Sequence, residues 1–162
     1  MRVAVYPDGA VRVTVPRVFS ARTLEKFLAK YASWIEKAVA RTDGRTVLYG
    51  KKALVRAYKE HAEKLAQARC AHFAALYGVS YKKISIRAQK ARWGSCSRAG
   101  NLSFNYKIAL LPPDMADYVI VHEVCHLLAF DHSPRFWGFV ARTVPEHKRL
   151  RAVLRRTVIR FE

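Results

Sequence analysis

The segment His122-Glu123-Val124-Cys125-His126 constrains this chain more than any other. In a helix rising about 1.5 Å per residue, positions four apart lie one turn apart on one face, so the two imidazoles can converge on a single metal ion. Glu123 is rotated by roughly 100° from His122. It is near enough to take a proton from an activated water without being a ligand, the arrangement of a zinc hydrolase. His132 follows His126 by six residues and completes H-E-x-x-H-x5-H. A catalytic zinc site takes three protein ligands and keeps one position open. Six residues is too long a step for the same helical face, so the chain is expected to turn after Phe130. Ser133 suits the N-cap and Pro134 the first position of the next helix. The spacing equals that of the metzincins, but Ala129 stands where their helix-ending Gly would be, so the chain is not assigned to them.

Thirty Lys and Arg against twelve Asp and Glu give a formal charge of +18. Residues 80–113 carry seven basic side chains and no acid; residues 133–162 carry eight against two. Arg149, Arg151, Arg155 and Arg156 cluster in the second stretch. This balance favours polyanions such as nucleic acid, a nucleotide or an acidic surface, the alternative being a solvated basic face. No apolar run approaches the ~18 residues of a membrane span, and MRVAVYPDG carries no signal core, so no membrane partner is expected. Cys70, Cys96 and Cys125 form neither a disulfide framework nor a C-x-x-C pair, which points to a reducing cytoplasm.

At 162 residues the chain reads as one domain, with an N-terminal hairpin and helix region over 1–52 and a core over 53–162. Alternating valines around Pro7-Asp8-Gly9 predict a hairpin within residues 1–18. Ser20 caps a helix with the stripe Leu24, Phe27, Leu28, Tyr31, Ile35 and Val39, to which Trp34 could add. Residues 41–52 read as loop. A second helix runs from about Ala53 to Tyr77, with Leu54, Tyr58, Leu65, Phe73 and Leu76 as core positions and Gly78 as its stop. A strand is expected from Ile84 to about Trp93. Alternation from Leu102 to Leu110 predicts another, ended by Pro112-Pro113. Tyr118 to Phe130 is apolar almost all round except for His122, Glu123 and His126, the pattern of a buried helix whose polar groups have work to do. A helix from Ser133 and a basic helix to about Arg156 follow, parted by Pro145.

The order Arg92-Trp93-Gly94-Ser95-Cys96-Ser97, Asn101-Leu102, Asn105, Pro112-Pro113, then V-H-E-V-C-H-L and D-H-S-P-R-F-W resembles the YgjP-like metallopeptidase family, relatives of the SprT-like and WLM zinc peptidases. The resemblance is strong from Tyr81 to Val140. It implies a zincin-like α+β fold: helices packed on a small, mostly antiparallel sheet beside an HExxH metal helix. Carried over by position, it implies His122, His126 and His132 as ligands of one Zn²⁺ per chain and Glu123 as base. Val124, Tyr106 and Asp131 depart from the residues usual in the family, and none is a ligand.

The expected activity is therefore zinc-dependent hydrolysis of a polypeptide. The RWGSCS segment is a candidate cleft wall, with Arg92, Gly94, Ser95 and Tyr106 as substrate-binding residues. The competing structural role puts Trp93 in the core and pairs Arg92 with an acid such as Asp117. Two rival functions share the metal: a nucleotide phosphoanhydride hydrolase, motivated by Lys90, Arg92 and Lys107, and a nucleic-acid-associated peptidase or binding protein. Against the first, no Gly-rich phosphate loop or carboxylate cluster for Mg²⁺ is present.

Overall fold

The alternating valines form β1 (Arg2–Val5) and β2 (Val11–Thr14), paired antiparallel, in a computed structural model that describes residues 1–162. Gly9 takes a positive φ in the turn between them. Helix α1 (Ala21–Ala40) starts where Ser20 accepts a hydrogen bond from the Thr23 amide, a cap contributing about 1 kcal/mol. Its stripe from Leu24 to Val39 faces inward as the spacing predicts. Yet each of those six residues is only half-buried, and Trp34 is exposed.

Residues 41–52, expected as loop, contain β3 (Thr46–Gly50). It lies parallel to β7 (Thr157–Phe161), in register from Thr46 with Thr157 to Gly50 with Phe161. The strand is short, ends in glycine and has its partner far downstream, so local pattern did not reveal it. Helix α2 (Val55–Tyr77) stops at Gly78, whose φ is +63°. Of its expected core positions, Phe73 is buried and Tyr58 and Leu65 half-buried, while Leu54 and Leu76 are exposed. The buried face is instead Ala62, Ala66, Cys70, Phe73 and Ala74. Small side chains at every fourth position let α2 lie close against the metal helix, and a count of large apolar residues overlooks them.

Strands β4 (Lys83–Arg87), β5 (Gly94–Cys96) and β6 (Asn101–Asn105) form a sheet in the order β4-β6-β5. The zincin-like α+β architecture stands, with one refinement of strand direction. β5 runs antiparallel to β6, but β4 runs parallel to it, as β3 does to β7. Leu102 and Phe104 are fully buried, each contributing about 1.5–3 kcal/mol. The strand expected to reach Leu110 ends at Asn105. There the Asn105 carboxamide oxygen accepts from the Lys107 amide and starts a 3₁₀ turn over Tyr106–Leu110.

Helix α3 (Pro113–Cys125) carries the motif and is buried along most of its length. Arg69 of α2 makes two hydrogen bonds of 2.6 Å to Asp117 of α3. The helix ends about one turn earlier than expected, with His126 as its cap and loose turns through Ala129. Helix α4 (Pro134–Thr143) starts as predicted at Ser133, whose Oγ accepts from the Phe136 amide. Helix α5 (His147–Arg156) follows Pro145.

Candidate metal centre

Two of the three histidines are fixed by α3 and its cap, and the third by the loop that carries the chain into α4. Their nearest ring nitrogens all lie within 4.8 Å of one another. His122 Nε2 and His132 Nε2 are 3.1 Å apart. An ion about 2.0–2.1 Å from each of two nitrogens in tetrahedral geometry sets them about 3.4 Å apart, inside the observed spread. His126 donates Nδ1–H to the Ala129 carbonyl at 3.1 Å, leaving Nε2 unprotonated. His122 Nδ1 is buried without a partner, so packing rather than a second hydrogen bond holds that ring. Burial first, then the neighbouring His126 and His132 imidazoles and Arg151, push the His122 pKa down to about 3. Burial also lowers that of His126. Neutral imidazoles are what a metal requires, and the donor set fits Zn²⁺.

Phe136, fully buried in α4, forms the floor beneath the three rings at centroid distances of 4.9, 4.6 and 4.9 Å from His122, His126 and His132. Trp137 stands 5.7 Å from His122 and from His132. Neither aromatic was singled out as a candidate site residue from the sequence. The available signal was their place three and four residues after the Ser133 cap, which turns one of them inward.

Glu123 is 7% exposed. Burial raises its pKa to about 8, opposed by the nearby Arg92 guanidinium. Gly94 of β5 lies directly against it: a Cβ at that position would meet Glu123 Cγ at 2.7 Å and Oε1 at 2.8 Å. Glycine at this point of the cleft strand therefore makes the space that the carboxylate occupies. Ser95, half-buried, pairs with Ser103 on one side of β5, whose other side is an edge of the sheet. Tyr106 is placed otherwise than a substrate-binding residue would be. It is 9% exposed, at the start of the 3₁₀ turn, with its ring against Phe161.

The loop before β5 is tied down by Asn105, which is almost wholly buried. Its Nδ2 donates to the Gln89 and Arg92 carbonyls at 2.7 and 2.9 Å, and its backbone amide donates to the Trp93 carbonyl. Arg92 is thereby carried to the surface. It does not pair with Asp117, which Arg69 already holds. Arg92 lines a cavity of about 480 Å³ together with Trp93, Tyr118, Arg151 and strand β7. Lys90, Lys107 and Arg155 also face this space, and no carboxylate does. Tyr118 lies one turn before His122, 6.0 Å from it by ring centroids, so the cavity is a neighbour of the histidine cluster, although neither the three histidines nor Glu123 line it.

The description "YgjP-like, metallopeptidase domain" matches residues 46–157. Among solved structures, the crystal structure of the metallopeptidase zymogen of Pyrococcus abyssi abylysin is similar with a TM-score of 0.51. That similarity covers 55% of this chain and 90% of that one at 23% identity, and it concerns the fold. Among curated proteins none matches. No helix is long and apolar enough to cross a membrane.

Proposed function

The chain belongs to the YgjP-like metallopeptidase family, and we propose that it hydrolyses peptide bonds with one Zn²⁺ held by His122, His126 and His132 and with Glu123 as general base. The observation that carries this reading is the convergence of three imidazole nitrogens within 4.8 Å, next to a buried carboxylate packed on the edge strand β5 at Gly94. When bound, the ion lowers the pKa of a water toward about 7 and polarises the scissile carbonyl. The remaining work belongs to the protein. Glu123 accepts the proton at a carboxylate oxygen and returns it to the leaving amine. Arg92 favours the ionised form of that carboxylate from the loop side. The free edge of β5, at Gly94 and Ser95, offers backbone groups to an extended polypeptide. Phe136 closes the floor of the site against water. The free thiols of Cys70, Cys96 and Cys125 fit a reducing cytoplasm.

Glu123→Gln removes the proton acceptor but keeps size and hydrogen bonding. It is expected to retain about one zinc equivalent while turnover of a quenched-fluorescence peptide library falls by roughly 10²-fold or more. Loss of metal from this variant would make Glu123 a ligand, and unchanged turnover would remove it from the mechanism. The same library, with His132→Ala, tests the third ligand through metal content.

A second reading, hydrolysis of a nucleotide phosphoanhydride, is favoured by one observation: the cavity beside the metal centre is ringed by cations and free of carboxylates. Cleavage of a nucleoside triphosphate that depends on Glu123, with no cleavage of the peptides, would replace the first reading by the second.

A further inference from the structure

The exposed side of α5 does not carry its charge evenly. Arg149, one of the four arginines clustered in the sequence, turns toward Glu146 and Asp114 and is paired with both. Lys148, Arg151, Arg155 and Arg156 form no ion pair. They line a succession of concavities. The first is the 480 Å³ cavity lined by Tyr118, whose ring is 6.0 Å from that of His122. The next, of about 340 Å³, lies between α4 and α5 and is lined by Trp137, His147, Lys148, Arg151 and Arg155. A third, of about 500 Å³, is lined by Arg155, Arg156, Arg41 and Arg45, with Asp43 as its one acid. Arg155 lines all three and Arg151 the first two. The Arg151 guanidinium is seated over the Trp137 ring at 4.8 Å, and Trp137 stacks on the buried His147 at 5.5 Å, so this cation is held in place.

Unpaired cations gathered around shared concavities repel one another, and a bound anion relieves that repulsion. A single anionic group would fill one cavity. Three joined through one arginine suit a chain that bears a charge at every unit and bends to follow them. Guanidinium groups predominate along the track, and their planar forks match phosphate oxygens. We infer that the track from loop 41–45 along α5 to the metal centre binds the phosphate backbone of a single-stranded nucleic acid, without reading its bases. The inference stands apart from the peptidase reading, because it concerns binding and not turnover.

The test is fluorescence anisotropy on the full chain with labelled oligo-dT and oligo-U of about 3, 6 and 12 nucleotides, within the ~4–16 nucleotides a single-strand site spans. A duplex of the same length and a labelled poly-glutamate serve as competitors. Affinity at about 50 mM salt is expected to climb from the 3-mer to the 12-mer and to fall steeply as salt rises. The slope should be about −4 in log K against log salt, which is about six contacts at −0.7 each. The variant R45Q/K148Q/R155Q/R156Q should bind at least about 10²-fold more weakly at 100 mM salt, with the slope flattened by about 3. Arg149→Gln removes an equal charge from a paired position and should change affinity by less than about twofold. The DNA and RNA arms assign the sugar. Failure to bind at 50 mM overturns the inference, as does a 3-mer that binds as tightly as the 12-mer. So does an effect of Arg149→Gln as large as that of Arg155→Gln. Tighter binding of the duplex, or of poly-glutamate, gives the track to that ligand instead. Length and salt dependence are read on the unsubstituted chain, so the outcome does not hang on the folding of the fourfold variant.

Discussion

Helices α1 and α3 make an instructive pair. The first shows a regular apolar stripe that predicts its inward face residue by residue, yet no residue of it is fully buried. The second shows almost no periodicity, and nine of its residues are buried, Glu123 among them. Periodicity states which side of a helix turns inward. It does not state how much protein waits there. Helix α1 leans mainly on the two-stranded hairpin, whereas α3 is enclosed by α2, β5, α4 and α5. The buried residues begin with Gly50 and Ala62 and run to Thr157, so the N-terminal hairpin and α1 contribute none.

That contrast can be broken by measurement. Phe104→Ala, in the wholly buried strand β6, is expected to lower unfolding free energy by about 3–5 kcal/mol in urea titrations. A loss near 1 kcal/mol would mean that the core around the metal helix is less tightly packed than its burial indicates. Next in size is removal of the metal. Chelation should lower the thermal midpoint followed by tryptophan fluorescence, by the equivalent of about 2.7 kcal/mol if the ion stood at 100 times its Kd. An unchanged midpoint would show that the three histidines do not join α3 to α4 through an ion. The smallest effect belongs to α1. Phe27→Ala, at a half-buried stripe position, should cost about 1 kcal/mol or less and leave metal content untouched. A cost comparable with that of Phe104→Ala would place the N-terminal region inside the same cooperative core.

The parts of the molecule that were legible in the sequence are those whose cause is local. The Ser20 and Ser133 caps, the Gly78 stop, the hairpin and the H-E-x-x-H-x5-H convergence each depend on neighbours a few residues away. Strands β3 and β7 were not legible, because each has the other as its strand partner and the two lie more than a hundred residues apart. The end of β6 was missed for a different reason: the Asn105 side chain competes with the strand ladder, and alternation of apolar residues carries no record of that. At the site, the convergence of His122, His126 and His132 was readable, while Phe136, Arg151 and Asn105 act through tertiary contacts. Gly94 lay between these cases. The sequence marks it only as part of a cleft wall, and the fold shows that the group packed against it is Glu123. Tyr106 was misplaced because the strand that would have pointed it at the cleft had already ended.

The parallel pairing of β3 with β7 also imposes an order of events on a growing chain. When residues 46–50 leave the ribosome, their only strand partner has not yet been synthesised, and long-range parallel pairing is intrinsically slow to form. His122, His126 and His132 emerge before Thr157. The nascent chain therefore has all three clustered histidines while Thr157, Val158 and Ile159, which wall the neighbouring cavity, are still missing. The histidine cluster can thus draw together before the neighbouring cavity has its last wall, and a chain interrupted before Thr157 would keep the cluster's residues and lack that wall.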